Sequence, residues 1–287
     1  VLVIQAFSAL AAGGAIICSQ YIGQKNHEMA NKSARQVLFI ITAISVAVTA
    51  LCLIFRMPLL QLIFGKVEAD VMTASRVYFF YTALSFPFIA LYDAGASIFR
   101  SQGNTRGPMI VSVISNGINI GGNAILIWVF HMGVAGAAIA TLASRVFCAV
   151  VVLWQLRLDR QPIVVKDYYQ IKKKKKMIGR ILSLGIPSGV ENSMFQLGKL
   201  SIQSSVSTLG TTAIAAQAMT NILENLNGIA AIGVGIGLMT VVGQCLGAGR
   251  KDEAAYYIKK LCVLAEIVII VSCLLVFALT IPITKLG

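Results

Sequence analysis

Apolar runs of about 20 residues follow one another along the chain, and each is long enough to cross a bilayer core of about 30 Å. Eight are evident, at 1–22, 37–56, 77–99, 108–130, 134–156, 181–209, 222–246 and 257–284. A water-soluble bundle would give most of these helices a polar side opposite the core. Here only 12% of 287 residues are charged and 57% are hydrophobic, which leaves too few polar positions for that. Backbone polar groups in hydrocarbon must be satisfied within the segment, so helices are expected. A membrane barrel would instead show short strands of alternating polarity. The expected fold class is therefore an all-α polytopic membrane protein.

The six cysteines, Cys18, Cys52, Cys148, Cys245, Cys262 and Cys273, lie in or beside these runs and form no CxxC pair. They read as small apolar core residues rather than disulfides or a metal site. The first run lacks a basic leader and a cleavage site, so a signal peptide is not expected there. No Met precedes it, and the expectation is that the start of the gene product is absent.

The net charge of +13 is placed unevenly. Eighteen Lys and Arg fall in or at the edges of the loops after the first, third, fifth and seventh runs, and four fall on the opposite side. The four are Arg56, Lys66, Arg76 and Lys285. By the positive-inside rule the basic loops face the cytoplasm. The run of five lysines at 172–176 lies in the longest such loop, about 159–180. It reads as a topology signal that contacts anionic lipid headgroups, not as a nucleic-acid site.

Two polar phrases stand out in this apolar chain, SQYIGQKNHEMA at 19–30 and GQCLGAGRKDEA at 243–254. A constant offset of 224 residues aligns Gln20 with Gln244 and Gly23 with Gly247. The same offset pairs Gly13 with Gly237, Glu28 with Asp252, Ala30 with Ala254, Arg35 with Lys259, Pro58 with Pro282 and Leu62 with Leu286. This is an internal repeat. An even number of spans separates the copies, so both face the same side, as in a parallel repeat about an axis along the membrane normal. Gly23 and Gly247 are expected to cap the helix ends in left-handed conformation.

The stretches GGAIICSQYIGQKN, FRSQGNTRGP, GIPSGVENSMFQLGK and GIGLMTVVGQCLGAGRKDEA, in this order and spacing, resemble the multidrug and toxic compound extrusion (MATE) family. The resemblance implies a two-lobed helical bundle of twelve helices, of which this chain would hold the second through ninth, incomplete at both ends. The implied layout is a first lobe at 1–158 lacking its first helix, a basic cytoplasmic link at 159–180, and the start of a second lobe at 181–287.

Polar stripes mark candidate cavity-lining positions. Asn116, Asn119 and Asn123 fall at i, i+3 and i+7 on the fourth run, one helix face. Asn192, Gln196, Lys199 and Gln203 form a stripe on the sixth run, beside Glu191, while Asn221, Glu224, Asn225 and Gly228 do so on the seventh. Ionisable groups inside spans are functional candidates because their burial in hydrocarbon is costly. They are Glu191, Glu224, Asp93, Glu266, Arg145 and Lys199. A mid-depth carboxylate can bind Na⁺ or a proton and attract a cationic solute. Glu191, about ten residues or roughly 15 Å into its run, is the first choice. Pro87 and Pro187 are candidate hinges, since proline removes a helix hydrogen bond.

The resemblance also marks departures. One branch of the family carries an Asn and an Asp four apart in helix 5, where this chain has Asn119 and Asn123. Another carries a helix-7 Glu two turns after its proline, where Phe195 or Gln196 falls here. The implied function is secondary active efflux of small organic cations, coupled to Na⁺ or H⁺, by alternating access in the cytoplasmic membrane. The expected partners are membrane lipid and the exported solute, without nucleic acid, and the full-length protein is expected to be monomeric. No resident cofactor is expected beyond the coupling ion. The alternative is a flippase for lipid-linked saccharide precursors, whose phosphates would favour a basic cavity holding Arg145 and Lys199. An enzyme is not expected, because His27 and His131 sit near opposite faces and no catalytic or metal-ligand constellation appears.

Overall fold

A computed structural model describes residues 2–64, 69–158, 162–165, 175–207 and 210–284. Lys66, Arg160, Lys166, Lys172, Lys173, Lys174, Lys285 and the repeat match at Leu286 lie outside the described residues. The described chain is helical: α1 Leu2–Gly23, α2 His27–Ile54, α3 Arg56–Phe64, α4 Ala69–Leu84, α5 Phe86–Ser101, α6 Arg106–Ala124, α7 Gly133–Gln155, α8 Lys175–Ser207, α9 Thr211–Gly247 and α10 Lys251–Thr284. A π-helical turn, Ile125–Val129, extends α6.

Seven described helices are long and apolar enough to cross a membrane, one fewer than the eight runs of the sequence. The missing one is α8, which has the length but not the apolar character. Its polar stripe and glycines lower the hydropathy of the run from 181 to 209. The run expected at 77–99 is two helices in one span, because the chain breaks at Ser85 between α4 and α5, with Pro87 in the first turn of α5. Proline suits that position, where its missing N–H would have no helical partner. Pro187, by contrast, lies inside an unbroken α8.

The chain divides into two compact units, residues 1–18 with 27–189, and 19–26 with 190–287. In the first, α7 packs against α4, α5 and α6, and α2 packs against α5. Phe7, Ile17, Val37, Ile41, Ile98, Phe99 and Val152 fill the core, with Phe7 meeting Phe86 edge-to-face at 6.3 Å. The peptide N–H of Val164 donates to Asn31 Oδ1 at 2.9 Å, and that of Ile163 to Gln102 Oε1 at 3.1 Å. These bonds pin the described part of the basic link, with Ile163 and Val165 fully buried. Large apolar side chains such as Trp128, Val129, Phe130, Ile120 and Ile54 are exposed, as expected where lipid replaces water. All six cysteines are free thiols.

The second unit holds α9 against α10, together with the end of α1. Here the two copies of the repeated phrase meet. A Cβ built on Gly23 would fall 2.8 Å from the carbonyl carbon of Gln244, and closer still to its oxygen. A Cβ built on Gly247 would fall 2.7 Å from the carbonyl carbon of Gln20, again closer to the oxygen. Each glycine thus lets one helix end approach the backbone of the other, as small residues do at membrane helix crossings.

The left-handed residue of each helix end is not the expected Gly23 or Gly247 but lies two positions on, at Lys25 (φ 56°) and Gly249 (φ 77°). Lys25 N–H donates to Ile22 O and Asn26 N–H to Tyr21 O, while Gly249 N–H donates to Leu246 O and Arg250 N–H to Cys245 O. Both ends are Schellman caps with the same two bonds, 224 residues apart. A third cap of this kind closes α5 at Gly103 (φ 79°), with Asn104 N–H on Phe99 O.

Candidate functional site

The asparagine stripe of α6 builds a polar seam against α7. Asn119 Nδ2 donates to Thr141 Oγ1 at 3.3 Å and reaches Ser144 Oγ at 3.5 Å. Asn123 Nδ2 donates to Asn119 Oδ1 at 3.2 Å. Ser115 Oγ donates to the Ser144 carbonyl at 3.0 Å. Asn123 Oδ1 is buried with no hydrogen-bond partner. A buried acceptor without a donor is unfavourable, and a cation supplies what it lacks. The seam offers amide and hydroxyl oxygens only, the donor type that suits a hard cation. Asn116, expected on the same face, is exposed. Thr141 and Ser144 were not singled out by the sequence, because Ser and Thr in a helix commonly return their hydroxyls to the preceding turn. Both also do so here, to Ala137 O and Thr141 O.

A second group lies in the same unit. Ser8 Oγ donates to Asp93 Oδ2 at 2.7 Å, joining α1 to α5. Arg145 Nη1 of α7 donates to Ser85 Oγ at 2.5 Å, at the break between α4 and α5. Ser85 itself is fully buried and donates to Thr82 O at 2.6 Å. The helix break therefore presents its hydroxyl oxygen to the intramembrane arginine.

In the second unit, Lys199 Nζ of α8 pairs with Glu224 Oε1 of α9 at 2.8 Å. Gln196 and Asn192 are half-buried on the same stripe of α8, while Gln203 and Glu191 are exposed. Among the described residues Glu191 and Glu266 form no ion pair, and Glu266 is exposed on α10. On α9, Asn227 Nδ2 donates to Cys273 Sγ of α10 at 2.9 Å, and its Oδ1 is buried without a partner. Asn227 falls outside the stripe read from the sequence, since its partner is a cysteine rather than a polar side chain.

Comparisons with known proteins agree with this architecture. A family model described as MatE matches residues 1–125 and 187–287. The chain is 26% identical over 258 residues to a probable multidrug resistance protein, YoeA, of Bacillus subtilis, covering 87% of this chain and 55% of that one. It is 26% identical over 267 residues to the probable multidrug resistance protein NorM of Thermotoga maritima, covering 88% and 54%. Among solved structures, a MATE protein in complex with MaL6 superposes with a TM-score of 0.90 at 19% identity, covering 97% of this chain and 62% of that one. The chain spans about half the length of the relatives it matches.

Proposed function

Because this chain belongs to the MatE family, a family of membrane transporters, we propose that it serves secondary active efflux of organic cations driven by inward flow of Na⁺ or H⁺. The reading places the protein in the cytoplasmic membrane as a multi-pass transporter, with the basic loops on the cytoplasmic side. Two lobes alternate access to a central cavity. Entry of the coupling ion favours one state, and its exit resets the other. A ligand can shift such an equilibrium only by its differential affinity for the two states.

The observation that carries this reading is the polar seam of Asn119, Asn123, Thr141 and Ser144, with its orphaned buried acceptor, inside helices that otherwise belong in hydrocarbon. None of these four side chains titrates in the physiological range, so a proton-coupled mechanism needs a carboxylate elsewhere. Glu191 is the acid assigned from the sequence, and Asp93, held by Ser8, is its best-placed competitor. The flippase alternative is weaker, because Lys199, one of the two cations it invokes, is paired with the Glu224 carboxylate.

Dye efflux from cells expressing the full-length gene tests the reading, with a Na⁺ pulse compared against a pH step. Efflux that follows either gradient identifies the ion. No efflux under either, with membrane expression verified, overturns the reading and moves the search to lipid-linked precursors.

A further inference from the structure

We propose that the π-helical turn Ile125–Val129, seated by Gly136, is a positioning element that sets the angle at which Asn123 meets the α6–α7 seam. The inference rests on the Na⁺ arm of the efflux reading and names what shapes its ion site. The turn begins two residues after Asn123. Phe130 N–H donates to Ile125 O at 3.2 Å, five residues back rather than four. Such a turn holds one residue more than an α-helical turn and is rare in ordinary helices. Close packing brackets Asn123 on both sides of it in the chain. Before it, a Cβ built on Gly122 would fall 3.1 Å from Ala140 Cβ. After it, a Cβ built on Gly136 would fall 3.0 Å from Leu126 Cβ and 3.2 Å from the Leu126 carbonyl carbon and oxygen. Gly136 is buried, so a larger residue there must push the turn away from α7.

The connection beyond the turn has no slack. Only residues 130–132 separate it from α7. Met132 N–H donates back to Leu126 O at 3.0 Å, and His131 and Gly133 both hold a left-handed φ of 53°. The additional residue is therefore absorbed within the helix, next to the seam. One residue of α-helix corresponds to about 100° of rotation. Were this turn α-helical, either Leu126 would leave Gly136 or the seam face of α6 would swing off α7. The side-chain bonds of Asn119 to Thr141 and Ser144 are long, at 3.3 and 3.5 Å, and yield before the backbone contact at Gly136 does. Asn123 Nδ2 is already held by Asn119, so its buried, unpartnered Oδ1 moves with that face. A turn that only fitted the loop to the helices would carry no such consequence for ion binding.

The test is the rise in melting temperature of the purified full-length protein as Na⁺ replaces K⁺ at constant ionic strength, since an ion that binds the folded state stabilises it. Ile125 is 52% exposed, so deleting it removes the additional residue without taking away a packed side chain. The deletion variant is expected to melt cooperatively but to need about tenfold more Na⁺, or more, for half of the rise, as when a group that orients a metal ligand is lost. Gly136→Ala is expected to shift the midpoint in the same direction by less. Gly121→Ala, at a helical glycine with open space around it, is expected to keep the wild-type midpoint. No Na⁺-specific rise in the wild type overturns the proposal, and so does a wild-type midpoint in the deletion variant. A deletion variant that does not fold leaves the decision to Gly136→Ala, where an unchanged midpoint overturns it. Failure of both to fold makes the turn a strut of the fold and overturns it too. Export driven by a pH step, with no effect of Na⁺ on melting, would sink this inference and leave the efflux reading. A Na⁺ effect that is lost on deletion, in a protein that exports nothing, would do the reverse.

Discussion

Gly23 packs its backbone against the peptide carbonyl of Gln244, and the relationship is returned between Gly247 and Gln20. Contacts that repeat with the two roles exchanged are the mark of a twofold interface, here between two copies of one phrase in a single chain. The first prediction follows from the geometry. Gly23→Ala and Gly247→Ala each put a methyl group into backbone that has no side chain to move aside. Overpacking of this kind costs about 1–3 kcal/mol. Each should lower the unfolding temperature of the detergent-purified full-length protein. Gly198→Ala, at a helical glycine with open space around it, should leave that temperature level or raise it slightly.

The two caps make opposite predictions at matched positions. Lys25 holds a left-handed conformation that costs a side-chain-bearing residue about 1 kcal/mol. Lys25→Gly should therefore stabilise the protein by an amount of that order, and Gly249→Ala should destabilise it similarly. Paired thermal melts of the two variants check this, and the same sign for both would refute it.

These helix ends show what the sequence made legible. The repeat and the spans could be read from the chain, because hydrophobic length and recurrence are properties of sequence alone. The roles within the phrase could not. A glycine at a helix crossing and a glycine at a cap look alike, and only the partner helix distinguishes them. Nothing in Lys25 announces a left-handed backbone. The α6 asparagines were visible by spacing, but Thr141 and Ser144 were not, because the packing of α7 brings them to the seam. Glu191 was conspicuous for its depth, yet what separates it from Asp93 is Ser8, which lies 85 residues from Asp93 in the chain.

The seam predicts a graded loss. Asn123→Leu removes both the orphaned acceptor and the bond to Asn119, and should reduce ion-driven export by about tenfold or more, given roughly 1–3 kcal/mol for a buried polar group. Thr141→Val leaves Asn119 with Ser144 and should lose less. Initial efflux rates over a range of Na⁺ concentrations measure both, and equal rates in the wild type and Asn123→Leu would remove the seam from the mechanism.

The acids are separated by neutral isosteres. If a carboxylate couples proton entry to export, Glu191→Gln or Asp93→Asn should abolish the response to a pH step while leaving dye binding in place. Asp93→Asn keeps an acceptor for Ser8, so its fold should be retained. Loss in Asp93→Asn alone would move the coupling role to the first unit. Unchanged pH response in both would exclude these two acids.

The reciprocal crossing also shapes how the gene can repair itself. The obstacle facing a bulky substitution at Gly23 is the main chain of Gln244, which every amino acid shares. No codon change at 244 can therefore relieve it, and swapping residues between the two positions restores nothing. Revertants from a selection on such a mutant should return to glycine, or map to distant sites that slide α1 or α9 as a whole. A charge pair such as Lys199–Glu224 admits allele-specific suppression, whereas this crossing does not.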